Sequence, residues 1–268
     1  MIKKLTKENH EQVMKLILPE ASINLFILGD IEMYGYETDF QELWGDFDHH
    51  GHLRAVLLRY YTDFIVYGLA GYDAQGFVSI INGYDNHNII SGKQAILKGV
   101  QPYLKGNYEN RGTYFLECRK ETLKLSDEAG LRMRVKVAKP EDASRLVALL
   151  CSIESFTVND VDEQEKQMAK SIEDRAGRCY FIEEGGQVVS MISSAAENTK
   201  SAMLIGVCTA PDYRMRGFAT AIMSCMLQDL FKEKESVCLF YDNPKAGCLY
   251  QRSGFVELGI WTMLKCVS

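Results

Sequence analysis

Two arginines and two small residues stand close together in the second half of the chain: Arg214, Arg216, Gly217 and Ala219. An apolar run ends at Thr209 and a Pro-Asp turn follows, so the sequence predicts a strand, a short loop and a helix that begins at about Gly217. The first turn of a helix has unpaired amide N–H groups and carries the positive end of the helix dipole. Gly217 and Ala219 keep side-chain bulk away from those amides, and the two arginines add positive charge. This arrangement is typical of a site for a pyrophosphate group.

A second segment with chemical potential runs from Asn243 to Phe255. Asn243 precedes Pro244, which is the order of an N-cap and a first helical residue, and Gly254 suits the left-handed position that ends a helix. Asn243 and Tyr250 are seven residues apart, which is two helical turns or ~10 Å along one face. The sequence therefore predicts a short helix that presents an amide and a phenol on the same side.

Both segments resemble those of the Gcn5-related N-acetyltransferase (GNAT) family. The pyrophosphate loop of that family reads Q/R-x-x-G-x-G/A, and Arg214, Gly217 and Ala219 fill its three fixed positions. The segment from Asn243 to Phe255 is similar to the family's N-x-x-A-x-x-L-Y-x-x-x-G-F stretch. The resemblance covers about residues 131–268 and implies the acyl-CoA N-acyltransferase fold, an α/β fold in which helices cover both faces of a mixed sheet.

The resemblance also implies roles for single residues. Acetyl-CoA would be the cosubstrate, and no metal is expected. Asn243 would contact the cofactor, and Tyr250 would be the general acid beside the departing thiolate. The residues expected to form the cofactor site are Val207, Thr209, Arg214, Met215, Arg216, Gly217, Phe218, Ala219 and Asn243.

The chemistry of amine acylation requires a base and favours an acid. An amine with a pKa of ~10.4 must lose a proton before it can attack a thioester. All five histidines lie in the first half of the chain, and the last of them is His87. Glu154, Glu183 and Glu197 are candidate bases, but none matches a fixed motif position, so no base is assigned. Proton transfer from a phenol at a pKa of ~10 to a thiolate at ~8.5 is uphill, so we expect Tyr250 to act mainly as a hydrogen-bond donor to the sulfur.

Two domains are predicted, because 268 residues exceed the usual length of one. A polar segment at residues 119–130 is predicted to link a mixed α/β domain at residues 1–130 to the catalytic domain at residues 131–268. Residues 131–137 alternate apolar and basic side chains, which predicts a strand with one buried face. The other elements predicted for the first half are strands at about 41–47, 53–61 and 64–69 and helices near 24–34 and 93–104.

The two halves begin alike. A shift of 133 residues places Glu8 and Asn9 over Glu141 and Asp142, and it aligns the apolar positions of the helices that follow. This similarity is an indication of an internal repeat. No Q/R-x-x-G-x-G/A string occurs in residues 1–130. We therefore expect the first half to be a related, degenerate copy of the fold that lacks the cofactor loop.

Composition narrows the class of protein further. The net charge of -6 argues against a nucleic-acid partner, whose binding relies on basic contacts to phosphate. No apolar stretch is long enough to span a membrane and no signal-peptide pattern is present, so a cytoplasmic location without a membrane partner is expected. The eight cysteines form no C-x-x-C pair and are expected to be buried, reduced thiols. The histidines near residue 50 are expected to form a solvated hairpin tip without a metal.

An enzyme that transfers an acetyl group from acetyl-CoA to a primary amine of a small molecule or peptide is the function that the sequence favours. A longer acyl donor or an aminoacyl donor is one alternative. A non-catalytic module that senses acyl-CoA is another, although a sensor needs only the loop and has no need of Tyr250. The acceptor and the oligomeric state do not follow from the sequence.

Overall fold

The protein is described by a computed structural model that covers residues 1–125 and 129–267. Short 3-10 turns precede several of its helices. The helices and strands of the first range are β1 (Ile2–Lys4), α1 (His10–Ile17), α2 (Leu25–Tyr34), β2 (Gln41–Phe47), β3 (Leu53–Tyr60), β4 (Asp63–Gly68), α3 (Ala74–Ile81), β5 (Ile89–Lys93), α4 (Gln94–Val100) and β6 (Asn107–Arg119).

The second range begins with a short helix and ends with a long strand. Its elements are α5 (Ala129–Arg132), β7 (Lys136–Val137), α6 (Ala143–Cys151), α7 (Val161–Glu173), β8 (Cys179–Glu184), β9 (Gln187–Ala195), β10 (Ser201–Thr209), α8 (Phe218–Leu230), β11 (Ser236–Tyr241), α9 (Pro244–Arg252) and β12 (Val256–Val267). This mixed α/β composition confirms the predicted fold class.

The chain forms two compact units. The first unit contains Met1–Phe115 together with the last strand from Glu257 onward, and the second unit contains Leu116–Val256. The final strand thus lies with the first unit, whereas the sequence boundary near residue 130 grouped it with the second. Sheet pairing joins residues that are distant in sequence, so a local change of composition does not reveal this placement. The predicted linker falls partly on residues 126–128, which lie outside the described residues.

In the first unit, strands β1 to β4 form an antiparallel meander, and β5 then pairs in parallel with β4. Strand β12 follows β5 in antiparallel pairing, and the first part of β6 lies next to β12. Helices α3 and α4 cover one face of this sheet. The core between them includes the fully buried side chains of Leu57, Phe64, Phe77 and Ile81.

The second unit repeats this plan. Strands β7 to β10 are antiparallel, β11 pairs in parallel with β10, and the last part of β6 lies next to β11. Helices α8 and α9 pack on one face around Met223, Met226 and Leu230. Helices α6 and α7 pack on the other face, around Leu146 and Phe181. The predicted sheet with helices on both faces is confirmed for this unit.

The start of each unit shows the repeat in detail. Helix α1 follows a 3-10 turn at Lys7–Asn9, and helix α6 follows one at Pro140–Asp142, which is the same position after the shift seen in the sequence. In both turns the side chain of the last residue, Asn9 or Asp142, accepts a hydrogen bond from a backbone N–H three residues earlier. The two units therefore begin with the same local structure.

The strand predicted at residues 131–137 is wrong for most of its length. Leu131 and Arg132 belong to helix α5, and only Lys136 and Val137 pair with β8. The N–H of Arg134 donates to the carbonyl of Leu131 at 3.0 Å, which continues the turn. Leu131 and Val135 both pack against the core, and their spacing of four is helical, while Met133 between them is 84% exposed. The alternation with basic residues had suggested a period of two.

Two further sequence expectations concern partners and cysteines. In the described parts of the chain no helix combines the length and apolar character that crossing a bilayer requires. The eight cysteines are free thiols, but the prediction that they are buried is wrong for Cys151 and Cys248, which are exposed.

Candidate functional site

Strand β10 separates from its parallel neighbour before it reaches the loop. The parallel pairing with β11 runs from Ser201 to Leu204, and a bulge in the pairing with β9 follows between Ile205 and Cys208. Gly206 lies in this bulge with a φ of 61°, a conformation that glycine adopts without strain. The end of β10 is therefore open on the side of β11.

The loop after β10 turns sharply into helix α8. Met215 has a φ of 59° and Gly217 a φ of 80°, so two left-handed residues reverse the chain just before the helix. The first helical hydrogen bond joins the N–H of Ala221 to the carbonyl of Gly217 at 2.9 Å. The N–H groups of Phe218, Ala219 and Thr220 precede that bond, so the helix itself offers them no acceptor. Gly217 has no side chain to cap them, and uncapped amides at the start of a helix are the kind of donors that an anion needs.

Both arginines of the loop are held by backbone carbonyls. Arg214 Nε donates to the carbonyl of Thr209 at 3.1 Å, and an Arg216 Nη donates to the carbonyl of Asp212 at 2.7 Å. The guanidinium of Arg216 also lies over the ring of Tyr213, 4.9 Å from its centre. Both side chains are exposed, and both residues precede the start of α8 by four residues or fewer.

The remaining residues predicted for the cofactor site differ in what they can offer. Phe218 is 4% exposed and its ring lies in the core, so only its backbone can reach a ligand. The hydroxyl of Thr209 is hydrogen-bonded to Ser190 Oγ at 2.8 Å. Val207 is half-buried against the core, Ala219 is half-exposed, and Met215 is fully exposed. The site is therefore formed more by backbone than by side chains.

Tyr250 is locked in place by the end of helix α9. The N–H of Gly254 donates to the carbonyl of Gln251, and the N–H of Phe255 donates to the carbonyl of Tyr250, at 3.1 and 3.0 Å. These two bonds, with Gly254 at a φ of 97°, form a Schellman motif. The rings of Tyr250 and Phe255 also touch, with centres 6.0 Å apart. A Cβ at residue 254 would lie 1.9 Å from the carbonyl oxygen of Thr122, so only glycine fits there.

Burial raises the pKa of the Tyr250 phenol to about 12, and the nearby Cys208 and Tyr241 add to the increase. The side chain is 5% exposed. Burial also raises the pKa of the Cys208 thiol. Arg214 is close enough to Cys208 for its guanidinium to oppose that rise. Cys208 is thus near both Tyr250 and Arg214.

Asn243 lies where β11 passes into α9. Its carbonyl accepts a hydrogen bond from the N–H of Ala246 at 2.9 Å, which opens the helix as the sequence predicted. Its side chain is exposed.

Two of the three candidate bases are held in ion pairs. Glu183 bonds to Lys136 and Arg145, and these bonds lower the pKa of its carboxyl. Glu197 accepts hydrogen bonds from Arg178 at 3.0 Å and from Ser194 at 2.6 Å. Glu154 is exposed. In the described parts of the chain, no group of three His, Cys, Asp or Glu side chains is placed to hold a metal ion.

One charged residue at the start of helix α8, Arg134, was not predicted from the sequence. The guanidinium of Arg134 lies over the ring of Phe218, 5.5 Å from its centre. Reading residues 131–137 as a strand concealed this contact. The spacing of Leu131 and Val135 was the signal that could have predicted a helical turn, and with it the position of Arg134.

Comparison with known protein families assigns residues 145–255 to an acyltransferase domain. The matching family model is that of the acetyltransferase (GNAT) family, so the chain carries a GNAT domain within its second unit, and the resemblance noted in the sequence is confirmed. No curated protein matches the chain.

Solved structures show how far the fold extends. A tandem GNAT protein from the clavulanic acid biosynthesis pathway is similar with a TM-score of 0.58 and 10% identity, over 98% of this chain and 97% of that chain. A protein from Drosophila is similar with a TM-score of 0.67 and 10% identity, over 99% and 98%. A GCN5-related N-acetyltransferase-like protein from Streptococcus suis is similar with a TM-score of 0.55 and 16% identity, over 98% and 100%. At these identities the likeness shows the fold alone, and it extends to the first half of the chain.

Proposed function

We propose that the second unit transfers an acetyl group from acetyl-CoA to a primary amine of a small molecule or peptide. The observation that carries this proposal is the start of helix α8. Its amides are open, Gly217 is left-handed, and two arginines flank it. These features fit the pyrophosphate of CoA, because the amides and the arginines together offer donors and positive charge to two phosphate groups.

The proposal gives each predicted residue a task. Arg214, Arg216 and the backbone of Gly217 to Ala219 would bind the pyrophosphate, with Met215 and Phe218 shaping the loop. Val207 and Thr209 would line the open end of β10 beside the pantetheine arm, and Asn243 would contact the arm from helix α9. Tyr250 would face the thioester sulfur. Its proximity to Cys208, near the end of β10, supports this role.

Tyr250 would act as a hydrogen-bond donor and not as a strong acid. With a pKa of about 12, the phenol stays neutral at pH 7. Complete proton transfer to a thiolate with a pKa of ~8.5 would be uphill by roughly 5 kcal/mol. A hydrogen bond to the sulfur as it leaves needs no such transfer and stabilises the developing charge. The proton balance closes when solvent protonates the released thiolate.

The amine must arrive neutral or lose its proton at the site. Glu183 and Glu197 form ion pairs with basic side chains. Water or Glu154 would therefore remove the proton of the amine. The acidic net charge of -6 favours a cationic small molecule or peptide over nucleic acid as the partner. The proposed location is the cytoplasm, where acetyl-CoA is available.

Thiol release from acetyl-CoA tests this function directly. We expect release with at least one member of a panel of primary amines, polyamines, aminoglycosides and peptides, and a much lower rate with butyryl-CoA. Tight binding of acetyl-CoA without thiol release for any acceptor would contradict the transferase and favour a sensor of acyl-CoA. Release with a longer donor only would replace acetyl by a longer acyl group.

A further inference from the structure

Residues 131–137, for which a strand was wrongly predicted, place a third arginine at the start of helix α8. Leu131 and Val135 anchor the segment in the core of the second unit. Arg132 Nη2 bonds to Gln228 of α8, which fixes the segment along that helix. Arg134, between the anchors, therefore reaches the first helical residue, Phe218.

Arg134 is held there by weak partners. Its guanidinium donates to Glu184 Oε1 at 2.6 Å and to the carbonyl of Glu183 at 3.4 Å. The side chains of Arg134 and Glu184 are 40% and 34% exposed, so water screens their ion pair and the pair contributes little stability. A dianionic phosphate that approached from solvent would compete well with a single carboxylate.

The turn that carries Glu184 lies at the same end of the sheet as the arginine loop. Glu184 pairs with Gln187 across the β8–β9 turn, and three residues further along β9, Ser190 pairs with Thr209 at the end of β10. The N–H of Ala210 then donates to the carbonyl of Val189 at 2.8 Å. Arg134 therefore lies at the same end of the second unit as a ligand bound at the start of α8.

The charges can be matched to the phosphates of the ligand. A pyrophosphate diester carries two negative charges, which the arginines 214 and 216 and the helix amides can balance. Arg134 approaches the helix from the side of Phe218, whereas the two loop arginines precede Gly217. CoA carries one further phosphate, on the 3′ position of its ribose, and a third cation suits that group.

We infer that Arg134 binds the 3′-phosphate of CoA and exchanges Glu184 for it when the ligand arrives. This inference rests on the proposed function of the second unit. It makes Arg134 a specificity-determining residue that separates CoA from dephospho-CoA, a ligand that is identical except for the missing 3′-phosphate.

Calorimetric titration of the wild type and four variants of the full chain with CoA and dephospho-CoA tests the inference. We expect Arg134→Ala to weaken CoA binding about tenfold and dephospho-CoA binding less than twofold, since one charged hydrogen-bonding partner is lost. Arg132→Ala is the matched control from the same segment and should leave the ratio of the two affinities unchanged. Glu184→Gln frees Arg134 and should strengthen CoA binding about threefold, and this gain should vanish when Arg134→Ala is added.

The outcomes distinguish failure of the 3′-phosphate assignment from failure of the proposed acetyltransferase function. Equal losses for both ligands in Arg134→Ala, or no loss for either, would overturn the assignment to the 3′-phosphate while CoA binding by the wild type still stands. Absence of CoA binding by the wild type would overturn both. If Arg134→Ala fails to fold, the ratio of affinities in Glu184→Gln decides, because an unchanged ratio contradicts the inference.

Discussion

The two units share one plan of strands and helices but differ where a helix follows the fourth strand. In the second unit residues 210–217 connect β10 to α8, and in the first unit the shorter stretch 69–73 connects β4 to α3. Both connections contain a glycine with a φ of 80°, Gly217 and Gly71. The left-handed turn is thus common to both units, and it does not by itself make a site.

The first unit closes its helix end with carboxylates. Asp73 is the N-cap of α3, and its side chain accepts a hydrogen bond from the N–H of Gly76 at 2.8 Å. The N–H of Asp73 in turn donates to Asp46 Oδ2 at 2.9 Å, and Asp46 is completely buried. These negative groups occupy the donors that a phosphate would need and repel its charge. The second unit leaves the equivalent donors open.

We propose that this difference at one helix end determines which unit can bind acyl-CoA. A glycine cap without a side chain keeps the amides available, whereas an aspartate cap satisfies them within the chain. On this proposal only the second unit binds the cofactor. Four changes test this proposal and the role of Tyr250, in order of decreasing effect.

Gly217→Val should abolish acetyl-CoA binding, with a loss of more than about a hundredfold, because it displaces several donors to a charged ligand. A β-branched residue at a φ of 80° also costs on the order of 1 to 3 kcal/mol of stability. Gly71→Val is the matched control, since it has the same φ in the first unit and should cost similar stability without loss of binding. Equal binding losses in the two variants, measured by calorimetry, would show that strain and not the site is responsible.

Tyr250→Phe should lower turnover at least about tenfold, because the hydrogen bond to the leaving sulfur is lost, and should leave acetyl-CoA affinity nearly unchanged. Tyr72→Phe is the control, because burial raises the pKa of that phenol in the first unit to about 12 as well. It should lower the melting temperature without changing the rate of thiol release. Unchanged turnover in Tyr250→Phe removes the proposed role of the phenol.

The pH dependence of turnover should show no loss from ionisation of Tyr250 up to about pH 10.5. The pKa of about 12 in the folded protein lies above the ordinary value, so the neutral donor persists through this range. The free energy of unfolding should follow the same trend with pH. The buried neutral phenol contributes its full stability below about pH 10, and this contribution declines as the pH rises towards 12. A fall in turnover near pH 9 that disappears in Tyr250→Phe would contradict the raised pKa.

Asp73→Ala should have the smallest effect. Removal of the cap of α3 should lower the free energy of unfolding by about 1 kcal/mol in urea denaturation and leave thiol release unchanged. Asp160→Ala is the counterpart in the second unit, where Asp160 caps α7 by accepting from the N–H of Glu163 at 3.0 Å. A gain of a second CoA site in Asp73→Ala would mean that the cap alone had blocked the first unit.

Local signals in the sequence predicted much of this structure. The end of helix α9 at Gly254 was predicted from the suitability of glycine for the left-handed position after a helix. Strand β2 was predicted with its observed bounds. Helix α3 and strands β5 and β6 were not predicted, because β6 begins with a polar run and is defined by pairing with distant strands.

The candidate site was predictable in its residue types but not in how each residue acts. The motif identified the loop, yet only the fold shows that Phe218 turns its ring into the core and that Thr209 is bonded to Ser190. The raised pKa of Tyr250 comes from burial by several elements, which a single helix pattern cannot reveal. Arg134 was missed because its segment has alternating polarity but helical structure.

The stoichiometry of acetyl-CoA binding tests the contrast between the units most directly. Calorimetry on the full chain should give one molecule bound per chain, and Arg214→Ala should weaken that binding while Arg54→Ala, an arginine of the first unit that pairs with Asp46 at 2.7 Å, should not. Two molecules per chain, or one molecule whose binding is insensitive to Arg214→Ala, would contradict the assignment of the cofactor site to the second unit alone.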